Sequence, residues 1–488
     1  MEPAASFPTL PSKDACWHWI EQLNSFGPRL TGTPAHEASL AFLATELEKT
    51  GLKAEETVHS ITRWTPEYVS LSGPDGPIPV AAPYPYSGQT PAEGVSAELV
   101  WYDGKPHSFR KAQGKIAVIL LKRIDLTRFL ISLFMKRKNS LPDQRASFPA
   151  RIKTPLLTGL MGVALDKARK AGVRGVICLF EGVSPLQLAG QVVPFTTPYA
   201  DLPALWVSAS ERTRLKALAA TGQKVTLTLK ATVEPVQTRS LHAVLPGQRQ
   251  DETLLVTTHT DGPNACEENG AAGVLALAHY FSRLPLQARQ RTLIFVLATG
   301  HFQIPQIGLK GDQATSAWLA ANQPLWDGKA GHARAVAGIT LEHLGCMEWR
   351  DNPTTGSPEA TGELERDIVY TTNRQLNQIY CQAARLQTRL RAVTVFPRLK
   401  KTMLGEGQPL YSAGIPVIST CPIPDYLCQI LPGGGLERLN AEYAYQQIMT
   451  FARVATALVT LPKKHFGHVP FSRFRALLRS VLSRQSTS

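Results

Sequence analysis

The most chemically suggestive part of this chain is a histidine and an aspartate that follow an apolar, β-branched run. Residues 253–261 read Thr-Leu-Leu-Val-Thr-Thr-His-Thr-Asp, which predicts a buried strand ending at His259 and Asp261. Ligands in open α/β sheets bind beyond the carboxyl ends of the strands. A metal-bound imidazole commonly needs a carboxylate on its other nitrogen, and Asp261 is near enough to supply it. The alternative interpretation is a strand-end histidine capped by Asp261.

Further candidate ligand residues lie at predicted strand ends or in the turn before a predicted helix: Glu267, Glu268, His301, Glu342 and His343. Two or three imidazoles with two carboxylates suit one zinc ion or a similar divalent metal. Because alternate residues of a strand face opposite sides, Glu342 and His343 are not expected to bind the same ion, and we favour Glu342. The alternative is that His301 and His343 are polar strand-end residues left by a decayed site.

The surrounding pattern predicts the elements that bring these residues together. Residues 12–51 indicate two helices, which we expect to pack on the later domain. From residue 240 onward, strands and helices alternate, with strands at 253–258, 292–298, 336–341, 391–396 and 415–419, and helices at 271–282, 312–322, 374–386 and 441–459. This alternation predicts an α/β fold with a mostly parallel sheet in a three-layer arrangement.

A second, smaller α/β unit is predicted before this core. Its strands are expected at 115–121, 175–180, 202–208 and 224–231, and its helices at 159–171 and 210–219. We therefore divide the chain into N-terminal helices (1–60), an inserted domain (61–238), a main domain (239–462) and a basic tail (463–488).

Composition indicates an ordinary globular protein, with 488 residues, 43% hydrophobic and 18% charged. The net charge of +14 is concentrated in residues 122–153 and in the tail. We interpret these clusters mainly as solvated faces and expect no nucleic-acid partner. Residues 128–138 and the tail are candidates for peripheral membrane contact, although a docked lid helix at 128–135 is the favoured interpretation.

Other signals narrow the class of protein. The seven cysteines lack CxxC spacing, and the N-terminus resembles no signal peptide, so a cytoplasmic location is expected. No apolar run has the length of a membrane-spanning helix. The sequence contains no Gly-x-Ser-x-Gly elbow and no P-loop, which argues against serine hydrolases and nucleotide hydrolases.

The order of motifs resembles the co-catalytic zinc exopeptidases related to bacterial leucyl aminopeptidase and glutamate carboxypeptidase. The resemblance rests on the loop at 27–36 and on segments 273–277, 308–311, 338–345 and 414–417. Segments 115–121 and 168–177 resemble a protease-associated domain inserted before the catalytic core. The resemblance covers most of residues 12–460 and implies a zinc exopeptidase-like fold.

The resemblance also implies a metal site with five ligands and a glutamate base. His259 occupies the first ligand position, with Asp261 orienting it, and Glu342 replaces the usual aspartate. Asn269 stands where a bridging carboxylate is expected, so Glu267 or Glu268 would substitute. The family's Glu-Glu pair is replaced by Thr299-Gly-His301, and its last histidine by Leu427.

Together these observations predict a zinc-dependent hydrolase of peptide or other amide bonds, aminopeptidase-like, with an atypical site holding one or two ions of zinc or another divalent metal. His259 and Glu342 would hold the ion, His301 would complete the set, and Glu268 would act as ligand or base, with Glu267 as the second candidate base. The alternative is a catalytically inactive scaffold with a binding or receptor-like role, which the missing Glu pair and Leu427 favour.

Overall fold

The computed structural model describes residues 9–141, 151–153 and 155–470. The α-helices of this part are α1 (Lys13–Ser25), α2 (Pro34–Glu48), α3 (Arg128–Phe134), α4 (Pro155–Met161), α5 (Leu165–Lys170), α6 (Pro185–Leu188), α7 (Arg212–Thr221), α8 (Gly270–Ser282), α9 (Ile304–Ile307), α10 (Thr315–Ala321), α11 (Arg374–Ala384), α12 (Gly407–Ala413) and α13 (Ala441–Thr460).

The strands of the same residues form one large connected sheet and two short two-stranded sheets. They are β1 (Glu55–Gly73), β2 (Gly76–Pro77), β3 (Ala82–Pro83), β4 (Val95–Asp103), β5 (Ile116–Lys122), β6 (Asp125–Thr127), β7 (Met135–Leu141), β8 (Arg151–Lys153), β9 (Gly175–Glu181), β10 (Ala204–Ser208), β11 (Lys224–Leu245), β12 (Arg249–His259), β13 (Arg291–Ala298), β14 (Arg334–Thr340), β15 (Met347–Asn352), β16 (Ser357–Leu364), β17 (Asp367–Thr371), β18 (Ala392–Pro397) and β19 (Val417–Thr420).

The centre of the main sheet is parallel. Strands β13, β12, β14 and β19 are parallel neighbours in that order, and the antiparallel strands β11 and β17 flank them. The predicted α/β class with a largely parallel sheet is confirmed. Because these four strands point the same way, the residues that follow β12, β13 and β14 emerge at a single edge of the sheet.

Helices cover both faces of this sheet, since side chains alternate along each strand. Leu254 and Val256 of β12 belong to a core formed with α1, α2, α8, α11 and α13. Leu255, between them, belongs to the opposite core with α10 and α12. The result is the three-layer arrangement that the continuous apolar strands predict.

Helix α8 begins pressed against the end of β14. A Cβ atom at Gly270 would lie 2.1 Å from the Leu341 carbonyl oxygen, so only glycine fits at this position. The close approach sets the turn at 264–269 directly against the residues that follow β14. The sequence Glu-Glu-Asn-Gly therefore serves as the junction between two strand ends.

Strands β4, β5, β9 and β10 form a smaller parallel group within the same continuous sheet. The long strand β11 joins the two sheets, pairing with β4 at Lys224–Leu227 and with β13 at Leu241–Leu245. Strand β1 pairs with β11 from Glu55 to Ser72. The boundaries predicted at 60 and 238 fall inside these two strands, so the two units share a two-stranded ribbon.

Some predicted elements differ from the structure. The single helix expected at 159–171 is wrong: α4 and α5 are separate because Gly162 adopts a left-handed φ of +48°. Strand β7, inside the predicted insertion, pairs antiparallel with β18 and thus extends the main sheet. The β15–β16 pair was not expected from the sequence, because its residues are only partly buried and lack an apolar alternation.

Two sequence features lie partly or wholly outside this description. No helix within the described ranges is both long and apolar enough to cross a membrane. Of the predicted basic tail, residues 471–488 lie outside the described residues, as do residues 142–150 of the basic segment at 122–153.

Arg291 ties the start of β13 to the end of α13. It is 2% exposed, and its Nε donates to the Glu252 carboxylate at 2.8 Å. Its Nη1 donates to the carbonyl oxygens of Leu458, Val459 and Leu461 at 2.9, 3.0 and 2.7 Å. These carbonyls end a helix and have no partner within it, so one guanidinium satisfies them all.

Replacement of Arg291 by methionine is expected to lower the free energy of unfolding by about 3–5 kcal/mol, because the buried Glu252 carboxylate loses its only buried cation among the described residues and three carbonyls at the helix end lose their donor. Chemical denaturation measures this loss. The matched control is Arg249→Met, since Arg249 also contacts Glu252 at 2.9 Å but is 49% exposed. That change is expected to cost less than about 1 kcal/mol, and equal losses in the two variants would contradict the assigned role of Arg291.

Candidate metal centre

Three imidazoles converge at the carboxyl edge of the main sheet. His259 ends β12, His301 lies in the turn after β13, and His343 follows β14. Each ring donates a hydrogen bond from Nδ1 to a fixed oxygen: His259 to the Asp261 carbonyl (2.9 Å), His301 to the Glu406 carboxylate (2.8 Å) and His343 to the Pro422 carbonyl (2.8 Å). These bonds hold the Nδ1 proton of each ring, so that Nε2 is the ring atom left to face the carboxylates.

Two carboxylates face these nitrogens. Glu267 places its two oxygens 3.7 Å from Nε2 of His301 and 3.7 Å from Nε2 of His343. Ligand atoms of His259, Glu267 and His301 lie within 4.8 Å of one another, and so do those of His259, Glu342 and His343. The two groups share His259, so all five residues surround one small volume.

The converging atoms are buried and lack hydrogen bonds. Nε2 of His259 and His343, both oxygens of Glu267 and Oε2 of Glu342 have no hydrogen-bond partner. The residues carrying them are at most 2% exposed. Buried polar atoms are nearly always paired, so several unpaired ones in a single place indicate a missing ligand. Nitrogen and carboxylate ligand atoms arranged in this way fit a divalent cation such as zinc.

The electrostatics of the cluster reflect this crowding. Burial, followed by the neighbouring imidazoles of His301 and His343, lowers the pKa of His259 well below its usual range. Burial also lowers the pKa of His301, but the Glu406 hydrogen bond and the nearby carboxylates outweigh it and raise that pKa to about 9. Burial raises the pKa of Glu342 to about 7. A bound cation would stabilise the carboxylates that burial otherwise penalises.

Glu268 does not join this cluster. Its Oε1 accepts a hydrogen bond from the buried Arg29 guanidinium, whose Nη2 also donates to the Asn264 carbonyl at 3.2 Å. Glu268, predicted as ligand or base, thus belongs to neither group of converging atoms and is neutralised by Arg29 instead. Glu267 is the member of the pair that faces the imidazoles, because adjacent side chains of the turn point in different directions.

Glu342 and His343, which were not expected to bind the same ion, have ligand atoms within 4.8 Å of each other. Strand β14 ends at Thr340, and His343 adopts a left-handed backbone with φ +55°, so the alternation of a strand no longer applies. Asn269 holds this turn in place, because its side chain donates to the Leu344 carbonyl at 2.8 Å and accepts from the Leu344 N–H at 2.6 Å. Asn269, which stands where a bridging carboxylate is expected, therefore binds the backbone of this turn instead.

Asp261 acts differently from its predicted role. Its main-chain carbonyl, not its carboxylate, accepts the hydrogen bond from His259. The carboxylate accepts from the backbone N–H groups of Gly300, His301 and Phe302 at 3.1, 3.2 and 2.9 Å. Asp261 therefore fixes two imidazoles, one through its main chain and the other by shaping the turn that carries His301.

The loop between α1 and α2 supports the end of β12. Arg29 and Gly262 exchange backbone hydrogen bonds of 2.8 and 2.9 Å. Thr31 donates to the Asp261 carboxylate, and Nε2 of His36 pairs with the Thr260 hydroxyl at 2.9 Å. This loop is the segment 27–36 of the sequence motif, and its polar residues act on the backbone and side chains next to His259.

Glu406 is the residue whose role the sequence did not reveal. Besides accepting from His301, its carboxylate accepts from the Ala314 and Thr315 N–H groups at 3.2 and 2.7 Å and from the Thr315 hydroxyl at 2.6 Å. Its own N–H donates to the Glu342 carboxylate. Glu406 therefore orients one imidazole and one carboxylate of the cluster, and no local spacing links residue 406 to residue 301.

Phe195 packs against the His301 side of the cluster. Its ring centroid lies 5.3 Å from that of His301 and 4.6 Å from that of Phe302. The segment leading to it is tied to the main domain, since Val192 N donates to the Cys428 carbonyl at 3.0 Å. Beside Phe302 lies a cavity of about 120 Å³ with a largely apolar lining that includes Leu30, Trp64, Tyr86, Val192, Phe302 and Ile430.

Three solved structures share the fold of this chain at low sequence identity. A zinc aminopeptidase from Bacillus subtilis matches with a TM-score of 0.64 and 16% identity over 94% of this chain and 99% of that one. An aminopeptidase from Aneurinibacillus sp. strain AM-1 gives 0.60 and 16% over 94% and 95%. A peptidase M28 precursor from Shewanella amazonensis gives 0.58 and 17% over 92% and 98%.

These likenesses confirm the zinc exopeptidase-like fold that the sequence motifs predict. No protein-family model matches the sequence, and no curated protein matches it by sequence. At such identities the likeness concerns the fold alone.

The loop after β19 backs the cluster and contains a buried acid. Pro422 of this loop holds His343, and Asp425 is 6% exposed. Burial raises the pKa of Asp425 to about 7, although the Arg350 guanidinium at 3.8 Å opposes the shift. The Asp425 carboxylate also accepts from the Asp351 N–H at 3.1 Å, so Asp425 stabilises the loop.

Because the pKa of Asp425 is higher in the folded chain than in the unfolded one, the folded state binds this proton more tightly. That contribution to stability is present at low pH and is lost as the pH rises through about 7. Asp425→Asn removes it, so the stability of the wild type relative to this variant should fall by about 2–3 kcal/mol between about pH 5 and about pH 8. Urea unfolding at both pH values measures this; a difference between the proteins that does not change with pH would contradict it.

Proposed function

We propose that this protein is a metal-dependent hydrolase of peptide or related amide bonds, aminopeptidase-like, whose atypical site takes a single divalent cation, zinc above all. The observation that carries the proposal is the convergence of free imidazole nitrogens and unpaired carboxylate oxygens in one buried volume. The fold shared with zinc aminopeptidases agrees with it.

The ligands of the ion would come from five residues: His259, Glu267, His301, Glu342 and His343. One ion is favoured over two because both groups of converging atoms include His259 and therefore overlap. When bound, the metal would polarise the scissile carbonyl and lower the pKa of a water molecule. The imidazoles are already oriented for this role, since each has its Nδ1 proton fixed by an oxygen.

The residue that accepts a proton during hydrolysis would be one of the acids that face the cluster. Glu267 and Glu342 each belong to a group of converging ligand atoms, whereas Glu268 belongs to neither group and its Oε1 is paired with Arg29. Exclusion of bulk water around these carboxylates strengthens their interactions with a reacting group. We therefore assign ligand and base roles to Glu267 and Glu342, and only a structural role to Glu268.

Substrate would approach along the side of His301, which carries the most exposed of the three imidazoles at 6%. Phe195 and Phe302 bound this approach, and the apolar cavity beside Phe302 gives room for an apolar substituent. The inserted unit thus supplies part of the substrate's surroundings through Phe195. A peptide or a small amide fits such a mixed apolar and ionic site.

Zinc binding and turnover test the proposal in one set of variants. Glu267→Gln keeps the shape but removes the charge that faces two imidazoles, so zinc affinity should fall by at least roughly 100-fold. Glu268→Gln, one residue away, is expected to change zinc affinity only a few-fold, because its partner is Arg29. Metal content after zinc reconstitution and dialysis, and hydrolysis of amino-acid amides and short peptides, are the measurements.

Glu342→Gln separates ligand from base. Loss of both zinc and turnover in this variant assigns Glu342 to the ligands, whereas retained zinc without turnover assigns it as the proton acceptor. Wild-type protein that takes up no zinc, manganese or cobalt would refute the metal site. Zinc uptake without hydrolysis of any amide would support the inactive-scaffold alternative over an enzyme.

A further inference from the structure

Helix α3 and the chain beside it expose a cluster of large apolar side chains. We call this cluster the α3 face; its members and their exposed fractions are Phe129 (70%), Leu130 (36%), Leu133 (47%), Phe134 (46%) and Leu399 (58%). Leu399 belongs to it because the N–H of the preceding Arg398 donates to the Phe134 carbonyl at 2.9 Å. Scattered exposed leucines are ordinary, but five adjacent large apolar residues mark an interaction surface.

The helix that carries the α3 face is anchored to the main sheet. Ile131, on its inner side, is 6% exposed and packs in the core cluster that contains Val393, Val395 and Val469. Strand β7 follows the helix directly and pairs with β18 from Met135 to Leu141. The exposed side chains are therefore presented on a fixed support, with their outer side left to solvent.

Cations surround the apolar centre. Arg128, Lys136, Lys138, Arg398 and Lys400 are exposed and flank the α3 face in the chain. Burial, together with the positive charges of Lys136 and Arg374, lowers the pKa of Lys138, whose Nζ lies 4.3 Å above the Phe396 ring. Asp125 is the single acid within residues 122–141, and it is ion-paired with Arg123 at 3.2 Å.

We propose that the α3 face binds the surface of an anionic lipid bilayer. Phenylalanine and leucine side chains would enter the boundary between headgroups and acyl chains, while the surrounding lysines and arginines contact lipid phosphates. An acidic protein would also satisfy the charges, but exposed apolar side chains along a short helix suit shallow insertion at a headgroup boundary. Insertion of the apolar side chains and attraction of the cations to lipid phosphates both favour binding to an anionic bilayer, and these two contributions add.

Vesicle binding by the full-length protein tests this surface. Sedimentation with vesicles of equal parts phosphatidylcholine and phosphatidylserine should deplete the protein from solution, whereas phosphatidylcholine vesicles should bind it much less. Phe129→Ser with Leu133→Ser is expected to weaken binding at least about tenfold, because the inserted apolar area is removed. The matched control is Leu386→Ser, a leucine 67% exposed elsewhere on the surface, which should bind as the wild type does.

A second set of variants tests the charges without altering the helix. Lys136→Ser, Lys138→Ser and Lys400→Ser combined should weaken binding by about 100-fold, since each lysine near an anionic surface contributes about fivefold. Thermal unfolding midpoints close to that of the wild type establish that the variants fold, as expected for exposed side chains. If the Phe129 variant unfolds, Leu399→Ser tests the apolar part from outside the helix.

The C-terminal segment is the competing explanation for membrane binding. Residues 471–488 carry Arg473, Arg475, Arg479 and Arg484 and follow Val469, which packs in the same core cluster as Ile131. A chain ending at Pro470 should retain binding to the anionic vesicles. Binding that is lost with this segment, but unchanged by the Phe129, Leu133 and lysine substitutions, would overturn the proposal, and so would a wild-type protein that ignores anionic vesicles.

Discussion

The register of three parallel strands is the constraint on which the site depends. His259 pairs with Ala298 across β12 and β13, and Thr257 pairs with both Val296 and Thr340. Because β12, β13 and β14 are in this register, the first residues beyond each strand lie at the same level along the strand direction. A shift by one residue would turn each side chain to the other face of the sheet and separate the imidazoles. The buried apolar cores on both faces hold the register against such a shift.

Around this edge, each converging side chain is fixed by a partner from a different part of the chain. Asp261 serves two imidazoles, Glu406 serves one imidazole and one carboxylate, and the α1–α2 loop braces the strand end through Arg29. Such outer hydrogen bonds set ring orientation and tautomer and so prepare nitrogen atoms for a metal. The same arrangement leaves several buried polar atoms of the cluster without hydrogen bonds, and a bound cation would pair with them.

The sequence predicted what depends on periodicity and missed what depends on long-range contacts. The apolar runs at 253–258 and 292–298 predicted strands whose ends carry the site, and the structure has both. The role of Glu406 was missed because it arises from a contact 105 residues away in sequence, with His301. Glu267 and Glu268 could not be told apart, since the choice depends on Arg29, which is 239 residues from Glu268. The two-helix break at Gly162 was missed because a single glycine is tolerated within many helical patterns.

His343 joins the cluster through its backbone conformation. Its left-handed backbone, with φ +55°, costs about 1 kcal/mol or more for a non-glycine residue and persists only where the surroundings impose it. Here Asn269 clamps the next residue from both sides, and the Pro422 carbonyl holds the ring. The strain brings His343 to the same volume as Glu342, which the alternation along a strand would forbid. Two adjacent residues thereby face one point, and an imidazole reaches the cluster from β14 although Leu427 offers none.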